Sequence, residues 1–113
     1  MFRHLLLTLS VSLALAASTA GLAQKKGGKA PDAAKGKEVF EQCAVCHNAA
    51  TDEKKVGPGL KGLFKKAKLG SGKKLSDQTV LARINEGGGG MPSYQDMLSD
   101  EEKANVLAYL KTL

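Results

Sequence analysis

Cys43-Ala44-Val45-Cys46-His47 contains both cysteines of this chain and one of its two histidines. Residues three apart project to the same side of a helical turn, so the two thiols face one way and the imidazole follows directly behind them. A disulfide between them would close too short a loop to stabilise much. A zinc knuckle would need a fourth ligand, and the other histidine, His4, lies in an N-terminal segment of different character. A dithiol oxidoreductase would set its C-x-x-C at a helix start after a strand. Here the pair ends a helix-forming stretch, and no run of the chain alternates convincingly as a strand. The pattern that fits is C-x-x-C-H, in which two thioether bonds hold a haem by one porphyrin edge and the histidine offers a nitrogen to the iron. The second imidazole nitrogen then needs a hydrogen-bond acceptor to fix the tautomer.

Composition is consistent with a core built around such a body. The chain has 113 residues and a formal charge of +6, with no Trp, three Phe and two Tyr. This length allows one domain, and a domain this small buries only about 60–65% of its unfolded surface. A multidomain protein, a transmembrane bundle, a disulfide scaffold and a large enzyme are excluded. A porphyrin would supply the large flat apolar surface that the side chains lack.

The N-terminal segment reads as an address. Arg3 precedes an apolar stretch from Leu5 to Ala17, too short and too diluted by serine to span a bilayer, and Gly21 and Ala23 flank Leu22 as a signal peptidase requires. Residues 1–23 are therefore read as a signal peptide cleaved after Ala23, in preference to an uncleaved anchor, and the domain as exported to the periplasm. No cysteine follows the apolar run, so no lipid anchor is expected. Residues 24–31, Gln-Lys-Lys-Gly-Gly-Lys-Ala-Pro, read as a flexible linker, which leaves 32–113 as the folded domain.

Three helices are predicted in that domain, and the fold class is all-α with irregular loops at about 47–75 and 87–98. Asp32 caps the first, which is expected to run to about Cys46 with Gly36, Phe40 and Cys43 along one face. Ser76 caps the second, with Leu75 and Val80 placed as a hydrophobic staple and Gly87 at its end. Ser99 and Glu102 form a capping box for the third, in which Val106, Leu110 and Leu113 make an apolar stripe with Leu107 beside it and Tyr109 on its edge.

With no other histidine after residue 47, a six-coordinate iron would take a methionine, Met91 or Met97. Met91 follows four glycines that let backbone approach a flat cofactor, and Pro92 stiffens the chain behind it. Met97, nearer the third helix, is expected to line the pocket.

These motifs together resemble the class I cytochromes c, over about residues 33–113. Gly36, Phe40, Cys43, Cys46 and His47 are similar to the family's first helix and haem attachment site, and Gly57-Pro58-Gly59-Leu60 to the loop after it. The resemblance implies a cytochrome c fold wrapped around one covalent haem c, with His47 and Met91 as iron ligands. It also implies that the carbonyl of Pro58 accepts a hydrogen bond from His47, and that the last helix crosses the first so that Gly36 and Phe40 meet Val106 and Tyr109. The short connection from Phe64 to Met91 looks like that of a small bacterial member. Pocket aromatics are fewer than usual in the family, with Phe64, Tyr94 and Tyr109 the main ones.

The implied activity is one-electron transfer between redox partners by a carrier that is not itself an enzyme. Eight lysines between Lys54 and Lys74, with no acidic residue among them, form a patch suited to an acidic docking surface on a partner, or else a solvated loop. No nucleic-acid motif is present, and a monomer is expected. A dedicated haem subunit of a dehydrogenase or reductase complex would share these motifs. So would a haem-based gas or redox sensor in which Met91 leaves the iron.

Overall fold

The computed structural model describes residues 30–113. The expected signal segment, 1–23, and the linker as far as residue 29 lie outside the described residues. Three α-helices form among the described residues: α1, Ala33–Phe40; α2, Asp77–Glu86; and α3, Asp100–Leu110. Among the described residues there is no named strand, only two isolated bridges, Lys68 with Lys74 and Gly88 with Met91. No described helix is long and apolar enough to cross a membrane.

Each helix starts where its capping residue predicts. The Asp32 carboxylate accepts from the Ala34 and Lys35 N–H groups at 2.8 and 3.3 Å. Ser76 accepts from the Thr79 N–H at 3.1 Å, and the Thr79 hydroxyl in turn accepts from the Ser76 N–H at 2.9 Å, a reciprocal box in which threonine takes the usual place of glutamate. At Ser99 only half of the expected box is made, through the bond from the Glu102 N–H to its hydroxyl at 3.1 Å. Leu75 is partly buried against the core cluster to which Val80 belongs.

The first helix is shorter than expected. Regular α-helix stops at Phe40, and the chain reaches His47 through turns. The Phe40 carbonyl accepts from both Cys43 and Ala44, and the Cys43 carbonyl from both Cys46 and His47. Carbonyls left open at a helix end are commonly satisfied by such tightened i→i+3 bonds. The thiols thus stand on tight turns, not on a straight helical face. Within the long loop, Leu63–Lys65 forms a 3-10 turn that buries Leu63.

The core is built where α1 crosses α3. Gly36 is buried, and a methyl group added to it would lie 1.9 Å from the Asn105 carbonyl oxygen and 2.9 Å from the Tyr109 Cβ. No side chain fits there. One turn further on, the Phe40 and Tyr109 rings meet with centroids 5.2 Å apart and planes tilted by 56°. Val106, only 2% exposed, shares the same cluster, with Leu107 and Leu110 behind it and Leu113 partly buried at its edge. Two polar residues of α3 are buried unexpectedly, Lys103 and Asn105. The Asn105 side-chain oxygen accepts from the Asp32 N–H at 2.8 Å, which fixes the start of α1 on the middle of α3. At the far end of α3, Lys111 pairs with Asp77 at 2.7 Å and lies 5.6 Å from the centre of the Phe64 ring, joining α3 to the start of α2.

Because the Gly36 contact is with backbone, α3 can relieve it only by moving away. Gly36→Ala is expected to destabilise the holoprotein by about 3 kcal/mol. Gly70→Ala, where a methyl group meets open space, is expected to stay within about 0.5 kcal/mol of wild type. Chemical denaturation followed by helix circular dichroism checks both.

Candidate functional site

Cys43 and Cys46 are both free and half-buried. Burial pushes the Cys43 thiol above its ordinary range, and the neighbouring Cys46 adds to this. Burial thus favours the neutral Cys43 thiol, and neither cysteine is engaged in a disulfide that would block a thioether linkage. His47 is fixed by the segment that returns beneath it. Its Nδ1 lies 2.8 Å from the Pro58 carbonyl oxygen. A carbonyl only accepts, so Nδ1 carries the proton and Nε2 is left with a lone pair to offer a metal.

The returning segment is held by backbone. The Gly57 N–H donates to the Cys46 carbonyl at 2.7 Å, and the Leu60 N–H to the Asn48 carbonyl at 2.7 Å. Gly57 is thereby laid flat against the imidazole, since a Cβ on it would sit 2.5 Å from Cε1 of His47. The cradle orients the ring from one side while Pro58 holds its edge. Lys55 reaches over this turn to donate to the Ala44 carbonyl at 3.0 Å.

Met91 sits on a hairpin that only glycine can build. Gly87 to Gly90 have φ values of 69, 116, 61 and 93°. Gly88 and Met91 exchange N–H···O bonds of 2.9 and 3.1 Å across the tip. The glycine run is thus a conformational requirement in its own right, beyond the clearance expected from sequence. Arg83 donates to the Gly87 carbonyl at 3.0 Å, the Ser93 hydroxyl donates to the Asn85 carbonyl, and the Tyr94 N–H donates to the Ile84 carbonyl at 2.9 Å. These bonds bind the segment back onto α2.

The two methionines differ sharply in environment. Met91 is half-buried and packed against the core, whereas Met97 is 63% exposed on the turn before α3 and lines no pocket, contrary to expectation. The Met97 N–H is tied to the Tyr94 carbonyl at 3.2 Å. Tyr94 is buried. Burial raises its phenol above the ordinary value, with smaller contributions from Cys43 and Cys46. Phe64 packs on the core and carries Lys111 over its face.

The donor set fits a covalent c-type haem. It offers two thiols on one turn, an imidazole with its tautomer fixed, and a thioether on a preformed loop. Among the described residues one buried side-chain polar atom, Asn85 Oδ1 on α2, has no protein partner. Among the described residues, no cluster of three His, Cys, Asp or Glu gathers that would hold a metal ion without such a cofactor. Gly57, Arg83 and Asn85 were not legible as site residues, although the Gly-Pro-Gly run marked the loop that contains the first.

Residues 31–110 match a protein-family model described as cytochrome c oxidase, cbb3-type, subunit III. The chain belongs to this family of class I c-type cytochromes. It is 34% identical over 82 residues to cytochrome c6 of Synechocystis, an alignment covering 72% of this chain and 65% of that protein. Similarity to cytochrome c6 of Leptolyngbya boryana is 34% over 80 residues, covering 70% of this chain and 89% of the relative. The solved cytochrome c6 of the diatom Phaeodactylum tricornutum superposes with a TM-score of 0.56 at 30% identity, over 72% of this chain and 92% of that one. Members of the family carry one covalently bound haem c.

In this cytochrome the neutral Tyr94 phenol is the form that the fold accepts. The folded phenol holds its proton beyond the ordinary value of 10.0, so the stability it lends is present below that value and is lost as pH rises through it. Tyr94→Phe is expected to decline less steeply than wild type between about pH 9 and 11, read from urea midpoints of the two holoproteins. Equal slopes would refute a buried ionisation.

Proposed function

We propose that this cytochrome is an exported one-electron carrier, with haem tethered at Cys43 and Cys46 and iron ligated by His47 and Met91. The observation that carries the reading is the bond from His47 Nδ1 to the Pro58 carbonyl, which presents Nε2 as the ligand nitrogen. When bound, the haem supplies a couple between Fe(II) and Fe(III). Met91 would supply the second protein ligand, and its soft sulfur would favour the ferrous state and raise the potential. With both axial positions taken by protein, no site is left for substrate or oxygen, as befits a carrier and not an enzyme. Tyr94 and the buried core around it keep water from the site and lower its dielectric.

The domain of 32–113 would be delivered to the periplasm by residues 1–23 and work there as a monomer without a membrane anchor. All eight lysines from Lys54 to Lys74 are exposed. Lys66 is paired with Asp52 at 3.0 Å and Lys55 donates to the Ala44 carbonyl, and the other six lysines of the patch are open to an acidic redox partner. The description of the matching family model favours a second reading, a haem subunit of an oxidase complex. A subunit would co-purify with its complex, and a carrier would not.

Produced in a host with haem attachment machinery, the protein is expected to be red, with haem that stays on the polypeptide in denaturing gels. Met91→Ala should abolish the weak near-infrared band of an iron–thioether bond and lower the potential, while Met97→Ala changes neither. The reverse result would assign the ligand to Met97. Ready binding of carbon monoxide by the reduced wild type would favour a sensor. Electron exchange with a carboxylate-coated electrode should slow steeply between about 10 and 150 mM salt, as the Debye length falls from about 30 to 8 Å. A rate indifferent to salt would leave the lysines as a solvated loop.

A further inference from the structure

Lys103 is the one charged residue buried among those described, at 7% exposure. It projects from α3 into the side that carries Val106 and Leu107, where an aliphatic residue would pack without desolvating a charge. The ion pairs among the described residues are Lys66 with Asp52 and Lys111 with Asp77, so the Lys103 ammonium is met by no carboxylate. Its partner is a backbone carbonyl, that of Gln95, at 2.9 Å. Gln95 follows buried Tyr94 on the segment that begins at Met91. The α2 end of this segment is secured by Arg83 at Gly87, by Ser93 at Asn85 and by Tyr94 at Ile84. The Lys103 bond ties the same segment, one residue beyond Tyr94, to α3.

We propose that Lys103 is a positioning residue for the sixth iron ligand. Its ammonium anchors the Gln95 carbonyl to α3, so that the strap that leads from Met91 to Gln95 is held by α2 and α3 together and Met91 is kept from swinging away. The inference rests on Met91 being the ligand. Removing the donor while keeping the side-chain volume loosens the strap, and Met91 leaves the iron more often even though the helices remain folded.

The test compares wild-type, Lys103→Met and Lys103→Arg holoproteins, with Met91→Ala as the reference for lost ligation. In Lys103→Met the near-infrared band is expected to melt well below the helix signal. Carbon monoxide should bind the reduced protein about ten to a hundred times faster, the factor expected for losing one hydrogen bond to a charged group. Lys103→Arg, which retains a charged donor, should recover most of both properties. Equal falls in the band and helix midpoints with unchanged carbon monoxide binding would overturn the proposal, since Lys103 would then support the fold alone. If Lys103→Met does not accumulate with haem, Lys103→Gln takes its place, and failure of both to accumulate counts equally against a positioning role. A Met91→Ala protein that keeps the band refutes the ligand assignment, whatever the lysine variants do.

Discussion

The contact of Gly36 with the Asn105 carbonyl brings two helical backbones closer than any side chain would allow, and the other parts take their positions from it. With that spacing, Phe40 reaches Tyr109, and the turn after Phe40 leaves α1 at a fixed distance from α3. Cys43 is three residues beyond Phe40 and bonded to its carbonyl, so the thiols inherit their placement from the crossing. Glycine within a helix loses about 1 kcal/mol relative to alanine. Here the loss is offset by apolar contact along the whole crossing, at roughly 25 cal/mol for each Å² buried.

A second theme is the use of backbone carbonyls as anchors for functional side chains. His47 is oriented by Pro58, Arg83 holds Gly87, and Lys103 holds Gln95. In each case a loop without regular structure is given one defined position by a donor on a neighbouring element. A domain with a small apolar core gains rigidity in this way where it needs it, around the ligands, without a larger hydrophobic interior.

What the sequence revealed follows from how local each signal is. C-x-x-C-H, the caps at Asp32, Ser76 and Ser99, and the apolar stripe of α3 depend on neighbours a few residues apart, and each lies where expected. The end of α1 was misplaced because its last carbonyls chose tightened turns, a choice that propensity does not encode. Gly57 could not be recognised as a cradle because its partner is ten residues away in sequence and meets it only when the loop folds back. Buried Lys103 and Asn105 are polar residues in a helix whose pattern reads as surface at those positions, and only the tertiary partners Gln95 and Asp32 explain them. Met97 was expected inward for its chemistry, but it stands exposed on the turn that follows Tyr94, a placement that no local pattern marks.

The bond between the Asp32 N–H and Asn105 also ties the start of the first helix to the middle of the last, 73 residues further along the chain. Asn105 is buried and its oxygen is occupied by that one donor. Any local opening that frees the start of α1 must therefore strand a buried amide on α3, which couples fraying of the first helix to exposure of the last.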